Sequence, residues 1–529
     1  VYNRLVRWVA IEELLFQYPT STLKFPAFRR NIMQFKIVSG SLDIIQSFPS
    51  VLFVEKGYEA SDYYNKSLTP SIIEIIKKFS DARNFKAESN SSLVVDAIID
   101  GKQLTIVLVG LGDAEKVGFH ELMLSAGTAS RKCSELRIAE CSVVLPELNS
   151  LPSGAVSRAV STGFQLASYE FGRYKTPTED KVELGTVNII TLSPDTTTEV
   201  ADGVKMGEQV SKAICFARDL GNEPSNVVTP TYLADIARQI ADRNGLELEV
   251  WDRARIESEK FGLLSAVARG SKQEPRFIHL TYKHTEATKT IALVGKGITF
   301  DTGGYNLKGG GSMESMKDDM SGAADVLAAI DCISAMGIAV NVHALVPSTE
   351  NCIGGNAIHP GDIFRAYSGK MVEINNTDAE GRLILADAVA YARSLGVDEM
   401  VDLATLTGAC VTALGTHISG MVSNNDDLAD SLLSASVGCG EKLYRLPLDK
   451  VYMDELKSNV ADLKNCGGRQ AGVIVGGLFI GEFVGDTHWA HIDLSAATLD
   501  GDTAIARKGS SGAGVGTLVE YVLRNEKVS

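Results

Sequence analysis

The sequence predicts an α/β protein of two domains: a smaller N-terminal α/β domain and a larger C-terminal α/β domain with a mostly parallel central sheet covered by helices. Three observations predict it. At 529 residues the chain is longer than a single hydrophobic core usually serves. Short β-branched runs alternate with longer segments of helical spacing. In the C-terminal half those runs are continuously apolar, as strands buried on both faces require.

The elements follow in order. Residues 1–32 are mildly basic (Arg4, Arg7, Lys24, Arg29 and Arg30 against Glu12 and Glu13) and are set apart as an extension. Arg-rich, acid-poor composition suits a targeting segment; an upstream addition before the usual start is the alternative. From Met33 a strand-like stretch covers 34–38, and the N-terminal domain is placed at 33–205. Strands are predicted at 104–109, 142–145 and 187–192, with helices at 120–136 and 157–171. Residues 206–221 form a connecting helix or linker, and the C-terminal domain is placed at 222–529. Thr229 and Pro230 cap and open a helix running through Ala234 and Ile240. Strands at 291–294, 340–346 and 400–406 then alternate with helices at 322–336 and 382–395.

Composition excludes several classes. Hydrophobic residues make up 45% and charged residues 22%, the balance of a globular protein. A net charge of -15 and the lack of a long Lys/Arg run disfavour nucleic acid as a partner. The eight cysteines form no CxxC pair and read as reduced, mostly buried thiols of a cytoplasmic protein. No stretch reaches the roughly 18 apolar residues a membrane span needs; residues 471–480 are too short and read as a buried element. A phosphate loop, a dinucleotide fingerprint and a GxSxG elbow are all missing. His488 and His491 lie three apart in a strand-like stretch, so they face opposite sides and read as core or hydrogen-bonding residues.

Chemistry concentrates in three segments. In VGKGITFDTGGYNLKGGG, residues 294–311, Lys296 and Asp301 follow a buried strand, and seven glycines surround them and Lys308. Asp318 and Asp319 precede an alanine-rich helix, where acids ordinarily just complement the helix dipole. In NNTDAEGRLILADA, Asp378, Glu380 and Arg382 alternate and, if extended, share one side. Four clustered carboxylates, Asp301, Asp319, Asp378 and Glu380, would repel one another unless cations neutralised them. Two divalent ions about 3.5–4 Å apart would do so. Oxygen ligands suit magnesium and manganese, and zinc accepts them too. Lys296 joins such a site only as a neutral amine.

These motifs, NTDAEGRL with VGKGITFDTGG and MKDDMSGAA, closely resemble the leucyl aminopeptidase (cytosol aminopeptidase) family. The resemblance spans about Arg218 to Leu523 and includes ARDLGNEPSNVVTP, ATLTGA and WAHIDLSA. It implies that 222–529 is a catalytic peptidase domain. It implies one metal on Asp301, Asp378 and Glu380, and another on Lys296, Asp301, Asp319 and Glu380. It makes Lys308 and Arg382 the catalytic pair and places Met316, Thr405 and Gly408 around the first side chain of the peptide. Two zinc ions, with manganese or magnesium at an exchangeable site, and a bicarbonate held by Arg382 are the implied cofactors. The implied reaction removes Leu- or Met-like N-terminal residues by attack of a metal-bridging hydroxide. A homohexamer, a dimer of trimers, is implied as well. Some relatives also bind DNA or act as chaperones, which is the alternative role. Three positions depart from the family pattern: Thr302 stands where Ser is usual, Gly309 where Pro is frequent, and Asp318 adds a carboxylate beside Asp319.

Overall fold

The computed structural model describes residues 33–39, 47–58, 68–99, 101–176 and 182–526. The basic segment 1–32 lies outside them.

β-Branched runs in the first part form β1 (Gln34–Ser39), β2 (Ser50–Glu55), β3 (Ser92–Ile99), β4 (Lys102–Gly112), β5 (Glu140–Val144) and β6 (Thr186–Thr191). They assemble in the order β1-β6-β5-β2-β4-β3, parallel throughout except for β3 against β4. Alternate residues serve its two faces: Val51, Phe53, Val107 and Val109 join one apolar cluster, and Leu52, Val54, Ile106 and Leu108 another. Helices Phe119–Glu135 and Ser153–Ala167 occupy the segments of predicted helical spacing, shifted toward the N-terminus by one residue and by four respectively.

The Thr197–Asn222 helix runs unbroken through 206–221. Thr229 then caps the Pro230–Asn244 helix through a 3.3 Å bond accepted from the Tyr232 N–H.

The second sheet contains β7 (Glu247–Trp251), β8 (Arg276–Tyr282), β9 (Thr290–Gly295), β10 (Gly297–Asp301), β11 (Asn341–Asn351), β14 (Glu399–Ala404), β15 (Ser419–Ser423), β16 (Leu443–Arg445) and β18 (His488–Asp493). Between them, β12 (Asp362–Arg365), β13 (Met371–Ile374) and β17 (Leu463–Lys464) form a small separate sheet. The large sheet has the order β16-β15-β18-β14-β9-β11-β8-β7, with β10 also beside β11. Its centre, β18-β14-β9-β11, is parallel; antiparallel pairings lie toward the edges. Ile291 and Leu293 of β9 pack into the core with the Ser321–Met336 helix, and Ala292 and Val294 into the core with the Glu380–Ser394 and Gly472–Val484 helices. A helix on each face leaves side chains from the strand ends as the place for a polar site. Among the described residues, no helix is long and apolar enough to cross a membrane.

Candidate functional site

The site gathers where β9, β10 and β14 end. Lys296 follows β9 directly; its backbone N–H donates to the Leu403 carbonyl of β14 at 3.0 Å, and its carbonyl accepts from the Ala323 N–H at 2.9 Å. These bonds fix the start of the side chain, which is almost fully buried. Its Nζ lies 2.7 Å from Asp319 Oδ1, 3.0 Å from Glu380 Oε1 and 2.8 Å from the Thr405 carbonyl. Lys308, arriving on the glycine-rich loop after β10, places Nζ 2.8 Å from Asp301 Oδ2 and 2.7 Å from Asp378 Oδ1. All four expected carboxylates are therefore brought together with both lysines. Oxygens of Asp301, Asp378 and Glu380 lie within 4.8 Å of one another. Asp319 joins them through Lys296.

The expected extended stretch from Asp378 to Arg382 is not what forms. The chain turns at Thr377 and Asp378, Ala379 precedes the helix, and Glu380 is already the first residue of the Glu380–Ser394 helix. Asp378 is thus presented by a turn and Glu380 by the opening of a helix, where the dipole favours its charge. Arg382, one residue pair further along the helix, is buried and donates from a terminal nitrogen to the Asn465 carbonyl at 3.0 Å. Its Nε is buried without a hydrogen-bond partner.

Electrostatics explain what such a cluster needs. Burial pushes Asp301 up to about 6, aided by Glu380 and opposed by Lys296 and Lys308. Burial likewise raises Asp319, strongly, and Asp378. Glu380 is also buried, but Lys296 and Lys308 outweigh that and hold it below the usual range. Burial opposes charge on Lys296 and Lys308 too, yet carboxylates overcome it: Asp319, Glu380 and Asp301 raise Lys296, and chiefly Asp301 raises Lys308. Four carboxylates against two ammonium groups leave a buried excess of negative charge. Asp319 Oδ2 is buried with no hydrogen-bond partner. Convergent, under-neutralised oxygens of this kind fit divalent cations.

Met316 and Thr405 are half-buried and Gly408 is exposed. The Thr405 hydroxyl donates to Asp319 Oδ1 at 2.7 Å, so this residue steadies an acid as well as bordering the site. Asp318 is buried and accepts a hydrogen bond from the Thr498 hydroxyl. His488 is exposed while His491 is fully buried, as strand alternation predicts. His491 Nδ1 lies 2.6 Å from Asp402 Oδ1, and Trp489 Nε1 donates to Asp402 Oδ2 at 2.6 Å, so these residues form a core network.

Sequence reasoning passed over Asn351 at the end of β11. Its Nδ2 lies 2.8 Å from Asp301 Oδ1, 3.0 Å from the Thr377 carbonyl and 3.5 Å from Glu380 Oε2. It also passed over Asn465, whose Nδ2 donates to the Asn376 carbonyl at 2.7 Å and the Ala379 carbonyl at 3.2 Å. The available signal was position alone: an asparagine at the end of a buried apolar strand has to spend its polar groups on something.

Carboxylates and lysines at the ends of parallel strands, in a cluster suited to divalent cations, define a metal-binding α/β enzyme site. Comparison with known proteins specifies which. The model of the cytosol aminopeptidase family's catalytic domain matches residues 215–519, and that of its N-terminal domain matches residues 51–178. A "Probable cytosol aminopeptidase" of Cyanothece sp. is 39% identical over 455 residues, covering 85% of this chain and 91% of its own. One from Alkaliphilus metalliredigens is 36% identical over 501 residues, covering 94% of this chain and 100% of its own. Among solved structures, a mutant of tomato leucine aminopeptidase superposes with a TM-score of 0.82 at 32% identity, covering 93% of this chain and 96% of that one. The bottromycin maturation enzyme BotP in complex with Mn does so with a TM-score of 0.81 at 33% identity, covering 90% and 99%. The chain belongs to the cytosol aminopeptidase family. It is a metallo-aminopeptidase acting on peptides.

Proposed function

We propose that this enzyme removes Leu- or Met-like residues from peptide N-termini in the cytoplasm, using two divalent cations. The observation that carries the reading is the approach of Asp301, Asp378 and Glu380 oxygens to within 4.8 Å, with Lys296 and Lys308 interleaved. Asp301, Asp378 and Glu380 would hold one cation; Lys296, Asp301, Asp319 and Glu380 would hold the other. Lys296 can ligate only after losing its proton, which a second cation in place of that proton would enforce. Oxygen-rich ligation fits zinc, with manganese or magnesium at the exchangeable position. When bound, the cations supply Lewis acidity toward a carbonyl and acidify a water.

The protein's own groups then divide the work. Lys308 is held protonated by Asp301 and Asp378 and is only partly covered, so its ammonium can stabilise the oxyanion that develops at the scissile carbonyl. Arg382 stays cationic and cannot serve as a base. Its unpartnered Nε supports the binding of a planar anion such as bicarbonate, which the guanidinium would orient for proton movement between water and leaving amine. Met316, Thr405 and Gly408 would receive the first side chain, where a thioether adapts to several apolar shapes.

Leucine anilide hydrolysis combined with metal analysis tests this reading. Two metal ions per chain are expected, with activity lost on chelation and restored by zinc or manganese. Asp378→Asn should nearly abolish turnover while the far-UV spectrum stays native. Turnover persisting in that variant would remove Asp378 from the site. We further propose a homohexamer; light scattering of the purified protein should return about six chain masses, and a monomer would refute it.

A further inference from the structure

Away from the active site, β7, β8 and β11 bring together a second set of ligating atoms. The antiparallel register pairs Thr281 of β8 with His343 of β11 and with Glu247 of β7, and pairs His279 with Glu249. His279 and Thr281 are two residues apart, so their side chains share one face of the sheet. His279 Nε2 lies 2.9 Å from His343 Nδ1, Thr281 Oγ1 lies 3.1 Å from His279 Nε2, and Thr281 Oγ1 lies 3.3 Å from His343 Nδ1. On the far side of the His279 ring, Nδ1 lies 3.3 Å from the Tyr391 hydroxyl.

We propose that His279, His343 and Thr281 form one face of an accessory binding site for a borderline transition-metal cation such as zinc or nickel. Three donor atoms in a triangle of this size match one face of a coordination shell with ligands at about 2.0–2.1 Å. A proton bonds well to one partner at a time, whereas a cation above the triangle takes a lone pair from all three. Imidazole nitrogens are the ligands that zinc and nickel favour. Tyr391 on the opposite ring nitrogen is the kind of outer contact that fixes a ligating histidine's tautomer and orientation. His279 and Thr281 are buried and His343 half-buried, so the triangle is held rigidly but open on one side, where water would complete the shell. Glu247 and Glu249, exposed on the neighbouring edge strand, lie opposite Thr281 and His279 and are paired with Lys283 and Arg255. Burial lowers both rings, aided by His343 at His279 and by Lys283 at His343, so both favour the neutral form that ligates.

The test is calorimetric titration of the metal-loaded, desalted enzyme with nickel(II), run in parallel on His343→Ala and Tyr391→Phe. His343 is half-buried and its removal leaves the active-site cluster untouched, so nickel exchange at that cluster contributes equally to each titration. The expected result is one added equivalent per chain in the wild type, its loss in His343→Ala, and binding weakened by roughly 10-fold in Tyr391→Phe. No added equivalent in the wild type overturns the proposal without reference to any variant. Retention of the equivalent in His343→Ala overturns it equally.

Discussion

At the scale of single residues, the cluster is held by atoms with no room to move. Gly381 shows this best: a Cβ there would lie 2.6 Å from Cε and 2.9 Å from Nζ of Lys296. Lys296 cannot easily yield, because Asp319, Glu380 and the Thr405 carbonyl already fix its ammonium. Gly381→Ala should therefore displace Lys296 and lower turnover and metal affinity by roughly 10- to 100-fold, as loss of ligand support does elsewhere. Metal content after dialysis together with kcat checks this; wild-type values for both would mean that Lys296 can relocate freely. Lys296, Asp301 and Lys308 were legible because charge among glycines after a buried strand is unusual. Asn351 was not, since its role exists only once β11 is laid beside β10. Distance along the chain, 50 residues from Asp301, hides such a contact from local pattern.

At the scale of elements, the strands and helices that apolar runs and helical spacing did predict lie within a few residues of their places, because burial on both sheet faces leaves so plain a pattern, while short or half-exposed strands such as β3, β7 and β12 left none. The reading failed where charge alternation in NTDAEGR imitated a strand. Three residues of apparent period 2 cannot compete with a long helical run that begins at Glu380. Strand β8 carries a consequence for pH. Burial, reinforced by repulsion from His343, holds the His279 imidazole down to about 4. Above about pH 6.5 the ring is neutral in folded and unfolded chains alike. As pH falls below that value, the unfolded chain takes up a proton that the folded chain refuses. Stability therefore declines from there until the folded-state value is passed, by at most about 1.4 kcal/mol per pH unit. Urea melts at pH 7 and pH 5 without added metal should show wild type losing more stability than His279→Gln. Equal losses would mean that His279 titrates normally.

At the scale of the whole molecule, the two halves share more than a linker. Residues 206–221 lie inside the Thr197–Asn222 helix, and one apolar cluster runs from Val51 and Val107 of the first sheet, through Val210 and Ile214 of this helix, to Leu293 and Leu403 of the second. Burial that is continuous across a boundary couples the two sides, so a single unfolding transition is expected. A polar contact reinforces it. Arg158, on the Ser153–Ala167 helix, lies 2.7 Å from Glu520 Oε2 on the Val515–Arg524 helix, and both side chains are largely buried, at 12% and 9% exposure. Arg524 holds the other Glu520 oxygen at 2.9 Å. Replacing Arg158 by alanine would leave the carboxylate half-neutralised at the boundary. Because Arg524 remains, the loss should fall below the 3–5 kcal/mol of a fully broken buried pair, at about 1–3 kcal/mol. Denaturant unfolding followed by both tryptophan fluorescence and circular dichroism reads this directly. Arg158→Ala should shift one shared transition to lower denaturant, with the two signals still coincident. An unshifted midpoint would show the ion pair to be neutral, and separation of the signals would show that the halves unfold independently.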